Sequence, residues 1–288
     1  MTTSMTVAKR SGMRGSPSLR RYLGAFRTPK GVIGAAIVVV LGLAALLAPV
    51  IFPAGPDVQS RDALLGISWE HPFGTDEFGR DLLTRSIFGL RIDLLIILTA
   101  VPISMVLGTL LGLSGAISER LGDIVQRGLD VIVGFPGLIL GICIVVVLGA
   151  GWFPIFLTIV ITGLPSAGRL SRAVLLRERD REHVLAARVL GVPNWKILLR
   201  HIAPFTVESM LVNAAVWMVI GVYIGAGLSI VGLGVQPPTP SLGVLLNGGM
   251  RYIYQAPNYV LFPALILVLI AVAFGFVADA LNETANKR

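Results

Sequence analysis

The residues of this sequence that could form a nucleophile and its base are poorly placed for that chemistry. Ser114 lies in the stretch Gly-Leu-Ser-Gly within an apolar run, a spacing used by some intramembrane proteases. A serine nucleophile needs a base within reach. The three histidines all lie in polar segments away from that run: His71, His183 and His201. Small residues around Ser114 are typical of close helix packing, and a protease remains the remoter alternative.

Metal and nucleotide chemistry have equally little support. His183 and His201 are far apart and lack a neighbouring Cys or His at ligand spacing, and His71 with Asp76 is a weak pair. The phosphate-binding pattern G-x-x-x-x-G-K-[ST] is absent, and the chain contains no Gly-Lys dipeptide. We therefore expect no catalytic residue, metal or cofactor in this chain, so any ATP must be hydrolysed by another protein.

The composition predicts an all-α membrane protein. The 288 residues are 55% hydrophobic and only 14% charged, whereas soluble domains are about 25% charged. Long continuous apolar runs favour helices of about 20 residues, the length that crosses the hydrocarbon core. The sequence predicts six spans: Val32–Pro53, Leu90–Ile117, Ile124–Gly149, Trp152–Leu176, Val207–Val235 and Tyr259–Leu281.

The charge distribution predicts how these spans are oriented. The net charge is +8, and lysine and arginine concentrate in residues 1–30 and 169–204. The positive-inside rule places both segments and both termini in the cytoplasm, with 54–89 and 236–258 outside. Leu19, Tyr22, Leu23 and Phe26 have helical spacing, which predicts an interfacial helix before the first span.

The charged residues within the predicted spans help to separate two classes of transporter. We expect all of them near span ends: Arg91, Asp93, Arg127, Asp130, Arg169, Arg172, Glu208 and Asp279. An ion-driven carrier usually holds an ionisable group deep in the bilayer. This pattern argues against a self-contained carrier and favours a conduit that is driven by an external motor.

Residues 177–204, RERDREHVLAARVLGVPNWKILLRHIAP, are too charged to cross lipid. Their apolar spacing predicts two short helices, Glu182–Leu190 and Pro193–Leu199, with a bend at Gly191 and a helix stop at Pro204. Ala186, Ala187 and Gly191 have little side-chain bulk, so a partner could approach closely. The segment is predicted to be a docking surface, and a solvated linker is the plainer alternative.

The loop residues Glu182, Ala186, Ala187, Gly191 and Ile202-Ala203-Pro204 resemble the "EAA" loop of type I ABC importer permeases. Other blocks resemble the C-type permease subunit of dipeptide and oligopeptide importers: HPFGTDEFGRDLLTRSIFGLR (71–91), Asp130 with Phe135-Pro136, and SIVGLGVQPPTPSLGVLLN (229–247). The resemblance covers about residues 17–282. The acidic position falls at Glu182 rather than at Leu185, and the end around Asp279 matches only loosely.

The resemblance implies a type I permease fold with cytoplasmic coupling helices in the bacterial plasma membrane. It implies domains at 1–30 (basic tail), 31–89 (first span and outer loop), 90–282 (transmembrane domain) and 283–288 (cytoplasmic tail). The implied partners are a B-type permease, one or two cytoplasmic ATPase chains carrying ATP and Mg, an external binding lipoprotein, peptide and membrane lipid, and no nucleic acid. Nickel or another small solute remains an alternative cargo, and a non-transporting scaffold is the alternative class.

The same resemblance suggests where each partner binds. The ATPase-coupling candidates are Glu182, Ala186, Ala187, Arg188, Gly191, Pro193, Asn194, Arg200 and Pro204, with Arg188 and Arg200 as ion-pair donors. Candidates that face the binding protein are Arg80, Asp81, Arg85, Pro237 and Pro238; the alternative for 74–81 is that it folds the outer loop. The pore-lining candidates in the fifth span are Asn213, Trp217, Tyr223 and Ser229.

Overall fold

The computed structural model describes residues 24–286. This part of the chain is helical and contains no β-strand. The predicted interfacial helix falls largely outside the described residues. Its last part, Ala25–Arg27, forms one 3-10 turn in which Ala25 is buried. Thr28 then caps the first long helix by accepting a hydrogen bond from the Gly31 N–H.

Ten α-helices follow in the described residues, numbered in chain order. They are α1 (Pro29–Ile51), α2 (Leu82–Leu113), α3 (Glu119–Val133), α4 (Gly137–Leu148), α5 (Trp152–Glu178), α6 (Glu182–Val189), α7 (Asn194–Ile197), α8 (Ala203–Ile230), α9 (Leu242–Met250) and α10 (Asn258–Asn286).

Five helical segments of the described chain are long and apolar enough to cross a membrane: α1, α2, α5, the segment from α7 to α8, and α10. They confirm five of the six predicted spans. The third predicted span is not a continuous helix, because α3 and α4 meet at a bend of 89°. Six spans result only if this bent pair counts as one.

The break between α3 and α4 has a local cause. Pro136 cannot donate a backbone hydrogen bond, and it disfavours helical geometry at Phe135 before it. Gly134 ends α3 by donating to the carbonyl of Asp130 at 3.1 Å. The α3 sequence also carries charges on its exposed face, among them Asp123, Arg127 and Asp130, so it is unlike the wholly apolar α4.

Two of the charged residues expected near span ends lie some distance from the ends of their helical segments. Arg169 lies about two and a half turns before the end of α5. Asp130 lies in the middle of the bent pair, and its carboxylate pairs with the Arg169 guanidinium at 2.6 Å. Because the two side chains carry opposite charges, their pairing offsets part of the cost of holding charge among apolar helices.

The centre of the bundle is the close contact between α2 and α5. A Cβ on Gly108 would overlap Ala167, and one on Gly112 would overlap Gly168 and Ser171. Ser104 donates from Oγ to the Val160 carbonyl at 2.8 Å. The small residues around Ser114 therefore let two backbones approach, as the packing interpretation of the sequence predicts.

Candidate docking site in the loop after helix α5

Gly191 forms the bend between the two short helices of the loop. Its φ is +74°, a left-handed conformation that favours glycine. The Gly191 N–H donates to the Arg188 carbonyl at 3.0 Å, and the Val192 N–H donates to the Ala187 carbonyl at 3.1 Å. This pair of bonds is the Schellman end of α6, so the predicted helix end and bend are confirmed.

The second helix of the loop does not stop at Pro204, which corrects the prediction. A helical path continues from Asn194 to Ile230, and a five-residue π segment, Leu198–Ile202, joins α7 to α8. Pro204 lies in the first turn of α8, where the missing N–H costs little. The wider π turn accommodates the proline, so the second helix of the loop continues into the fifth predicted span.

One side of α6 faces the protein itself. Val184 is fully buried and Ala187 is 7% exposed. Both belong to an apolar cluster with Ile197 and Ile202 from the second helix and Leu175 from α5. The expectation that Ala187 offers a free surface is therefore wrong, because its methyl group packs inside the loop.

The opposite side of α6 is open. Val189 is 88% exposed, Leu190 is 82% exposed, and Leu185 is also exposed. We call these three residues the apolar tip. The other predicted coupling residues that lie on the surface are Glu182, Ala186, Arg188, Gly191, Pro193, Asn194 and Arg200. No described residue lies within 4 Å of the position that a Gly191 Cβ would take.

Ion pairs attach the loop to α5. The Glu178 carboxylate is buried, and it pairs with Arg177 and Arg181 at 3.0 Å each. Arg179 next to it reaches Glu119 of α3, also at 3.0 Å. The hydrogen bond from that carboxylate raises the pKa of Arg179. These contacts surround the turn between α5 and α6.

The clamp between α3 and α5 was not predicted from the sequence. Arg172 of α5 passes between Gly115 and Gly122, where a Cβ on either glycine would overlap its guanidinium. Its Nη2 donates to Asp123 at 3.2 Å. The sequence signal was a pair of glycines on either side of Glu119, the acidic residue that begins α3. Such a pattern is too common to be specific.

The two arginines predicted as joint ion-pair donors lie in different grooves. Arg188 lines a groove of about 580 Å³ that also contains Glu119, Arg179 and Asp180. Arg200 lines a second groove of about 750 Å³ with Trp195 and Lys196. The loop therefore presents two chemically distinct surfaces.

The outer loop before α2 uses its charged residues internally. The buried Asp76 carboxylate pairs with Arg80 Nε at 2.6 Å and with Arg85 Nε at 3.4 Å. Arg85 is 2% exposed and also donates to Asp57 and to the Pro238 carbonyl. Arg85 does not face outward, so its assignment to a binding-protein surface is corrected, and the loop-folding alternative describes Arg80 as well.

Asp81 is also occupied within the chain. Its Oδ2 accepts from the Thr84 N–H at 2.8 Å and so caps α2. Its Oδ1 lies 3.0 Å from His71 Nδ1. Pro237 and Pro238 remain exposed, and they are the two binding-protein candidates that the structure leaves accessible.

The four pore candidates on α8 do not share one face. Asn213 lies between helices, where Ser166 donates to its Oδ1 at 3.0 Å and its Nδ2 donates to Met105 Sδ at 3.3 Å. Trp217 is half-buried against the central core. Ser229 is buried against Gly234 and Gly243, which corrects its assignment to the pore, whereas Tyr223 is 65% exposed.

Hydrogen bonds hold helix α9 from two sides, and the sequence did not predict them. Asp93 of α2 accepts a hydrogen bond from the Leu242 N–H at 2.9 Å. Asn247 of α9 donates to the Ile230 carbonyl at the end of α8 at 2.6 Å. These bonds fix a short helix between two long ones, on the side opposite the docking loop.

Comparison with known proteins matches residues 94–288 to the family described as "Binding-protein-dependent transport system inner membrane component". The chain is 35% identical to the di/tripeptide transport system permease protein DppC of Pseudomonas aeruginosa, over 94% of this chain and 92% of that protein. It is 32% identical to the dipeptide transport system permease protein DppC of Alkalihalophilus pseudofirmus, over 89% and 85%. It is 34% identical to the glutathione transport system permease protein GsiD of Pectobacterium atrosepticum, over 77% and 74%.

Proposed function

The chain belongs to the family of binding-protein-dependent transport system inner membrane components, and we propose that it carries peptides and is driven through its Gly191 loop. As a family member it is a multi-pass inner membrane protein and a permease subunit of an ABC importer. The proposal adds the cargo, the partners and the residues that couple it to them.

Relatives support a peptide as the cargo. Several similar proteins are named as dipeptide, di/tripeptide or peptide permeases, and others are named for glutathione, which is itself a tripeptide. We propose di- or oligopeptides delivered by an external binding lipoprotein, which contacts the outer end near Pro237 and Pro238. We propose that a B-type permease completes the path, as the family membership implies.

The apolar tip of α6 is the observation that carries the coupling proposal. Val189 and Leu190 are almost fully exposed at the end of a helix whose other side is packed. Apolar patches that remain exposed in this way mark interaction sites, and an amphipathic helix commonly lays its apolar face into a groove of its partner. We propose that this groove lies on a cytoplasmic ATPase that binds ATP and Mg, and that Arg188 pairs with an acidic residue there.

The connections of α6 explain how movement of the tip would reach the membrane. Val184 and Ala187 pack on Ile197, and Ile197 belongs to the helical path that continues into α8. The buried Glu178 joins α6 to α5 through Arg181. A force on α6 therefore acts on two membrane helices at once.

The direct test is to make the apolar tip polar. We expect Val189→Ser with Leu190→Ser to abolish co-purification of the ATPase and peptide-dependent ATP hydrolysis, because the buried apolar contact is lost. The protein level in the membrane should be unchanged, since neither side chain packs within the chain. Val50→Ser is the matched control, because Val50 is 76% exposed but lies in α1, away from the docking loop. Normal ATP turnover by the double variant would contradict the proposal.

The scaffold alternative differs in what accompanies the protein. A scaffold should be purified from gentle detergent without an ATPase and without nucleotide-dependent uptake. If the intact complex, reconstituted with its binding protein, accumulates dipeptide only when ATP is present inside the vesicles, the scaffold function is excluded. Testing Ni²⁺ in the same assay separates a peptide from a metal as cargo.

A further inference from the structure

The second groove of the docking loop has a composition unlike that of the apolar tip. It is lined by Trp195, Lys196, Leu199 and Arg200, with Val192 and His201 at its sides. No carboxylate is among these lining residues. Lys196 Nζ lies 5.4 Å from the centre of the Trp195 ring. Cationic and aromatic groups thus share one open surface.

This groove adjoins the membrane rather than the apolar tip. Trp195 and Leu199 are 60% and 63% exposed, and further along the same helical path Val207 and Leu211 are exposed too. Eight residues that include the π segment make close to two turns, because a π turn is wider than an α turn. Leu199 and Val207 therefore lie on one side, and the groove continues into an apolar stripe of α8.

We propose that this groove binds an anionic phospholipid of the inner leaflet. The phosphate would lie between Lys196 and Arg200, the Trp195 ring at headgroup level, and an acyl chain along Leu199 and Val207. Tryptophan is enriched at membrane interfaces, and basic pockets beside membrane helices on the cytoplasmic side bind anionic headgroups. The long stems of Lys and Arg let the charges reach the headgroup while the methylenes stay apolar.

The site goes beyond the proposed coupling function, since it concerns lipid rather than the ATPase. It has a structural consequence for the loop. A lipid held at Lys196 and Arg200 would fix the π segment against the bilayer and so fix the start of α8. The apolar tip, on the other helix of the loop, would remain free for its partner.

Quenching of Trp195 by brominated lipids tests the site on the full-length permease in nanodiscs. The discs contain phosphatidylcholine with a minor fraction of either dibromo-phosphatidylglycerol or dibromo-phosphatidylcholine. Each basic residue near an anionic surface contributes about a fivefold preference, so two give roughly twenty-five-fold. We expect stronger quenching by the glycerol lipid, lost in Lys196→Gln with Arg200→Gln and kept in Lys196→Arg with Arg200→Lys. Trp195→Phe gives the background from the other tryptophans: Trp69, Trp152 and Trp217.

The matched control removes two other exposed arginines, Arg120→Gln with Arg127→Gln on α3. Equal quenching by the two lipids in the wild type would overturn the proposal. So would an equal loss in the α3 control, which would show general charge attraction. Displacement by inorganic phosphate at constant ionic strength would show a site for free anions rather than lipid. Release of the ATPase by the groove variant, with no lipid preference in the wild type, would assign the groove to the ATPase instead.

Discussion

The guanidinium of Arg172 lies between Gly115 and Gly122, and it joins α5 to the start of α3 through Asp123 at 3.2 Å. Arg172 lies in α5, less than two turns before the end of the helix, where the docking loop begins. The two glycines therefore leave room for an arginine from another helix, and neither has a left-handed backbone conformation. This contact links the loop to the broken helix pair.

Gly122→Ala is expected to melt at a lower temperature than Gly128→Ala, because its methyl group would overlap the Gly115 Cα as well as the Arg172 guanidinium. Overpacking of this kind costs about 1–3 kcal/mol. Gly128→Ala on the same helix is the control, since its Cβ meets no described atom within 4 Å. Replacing Gly by Ala favours a helix by about 1 kcal/mol, so the control should melt at a higher temperature. Equal shifts in both variants would contradict the clamp.

Gly191→Leu is expected to stop peptide uptake while the protein still inserts in the membrane. No described atom of the chain lies near this position, so the added bulk would meet only a docked partner. Gly232→Leu is closely matched, because Gly232 also ends a helix in a Schellman pair, with φ +83° and open space around it. Both variants bear about 1–2 kcal/mol of backbone strain.

Uptake of a labelled dipeptide by whole cells, normalised to membrane protein level, measures the difference between the two glycine variants. Loss only at residue 191 supports docking at the bend. Normal uptake by Gly191→Leu would refute it, and an equal loss at residue 232 would attribute the effect to strain.

The neighbouring alanines Ala186 and Ala187 should respond differently to the same change. Ala187→Leu overfills the cluster around Val184 and Ile197, which should lower the free energy of unfolding by about 1–3 kcal/mol. We therefore expect a lower melting temperature. Ala186→Leu leaves stability unchanged because the residue is exposed. Its effect should appear in ATPase co-purification instead. Equal melting temperatures for the two variants would contradict the orientation of α6.

Asp76→Asn is expected to loosen the outer loop. It removes the counter-charge from Arg80 and from buried Arg85, and breaking such a buried pair costs about 3–5 kcal/mol. Hydrogen exchange of residues 54–81 measures the effect, and Asp62→Asn is the exposed control. Unchanged protection, together with a loss of stimulation by the binding protein, would mean that these arginines serve the partner after all.

Features that depend on long apolar runs, or on the backbone conformation of one residue, could be predicted from the sequence. Apolar length predicted five spans, and Gly191 after Leu190 predicted a helix end, because few other residues adopt its φ. The small residues around Ser114 predicted close packing. In each case the physical cause is local, or is repeated along the helix.

Features set by partners distant in sequence could not be predicted. The sequence suggested a surface position for Arg85, but in the folded chain Arg85 contacts Asp57, Asp76 and the Pro238 carbonyl. Pro204 looked like a helix stop because a π segment is not visible in the residue pattern. The break after Val133 did have a signal, since Gly134 and Pro136 flank Phe135 where the charged face of α3 ends.

That break also bears on how the protein survives before it is assembled. Gly137 follows the break, and a Cβ added to it would lie 3.7 Å from Thr162, so the break is level with the middle of α5. Phe135, within the break, is 52% exposed. No side chain caps the first amides of α4. Bare backbone at such depth persists only where protein or water covers it. An orphan copy, synthesised without its companion subunit, should thus be a substrate for membrane quality-control proteases, and its half-life in the cell should depend on co-expression.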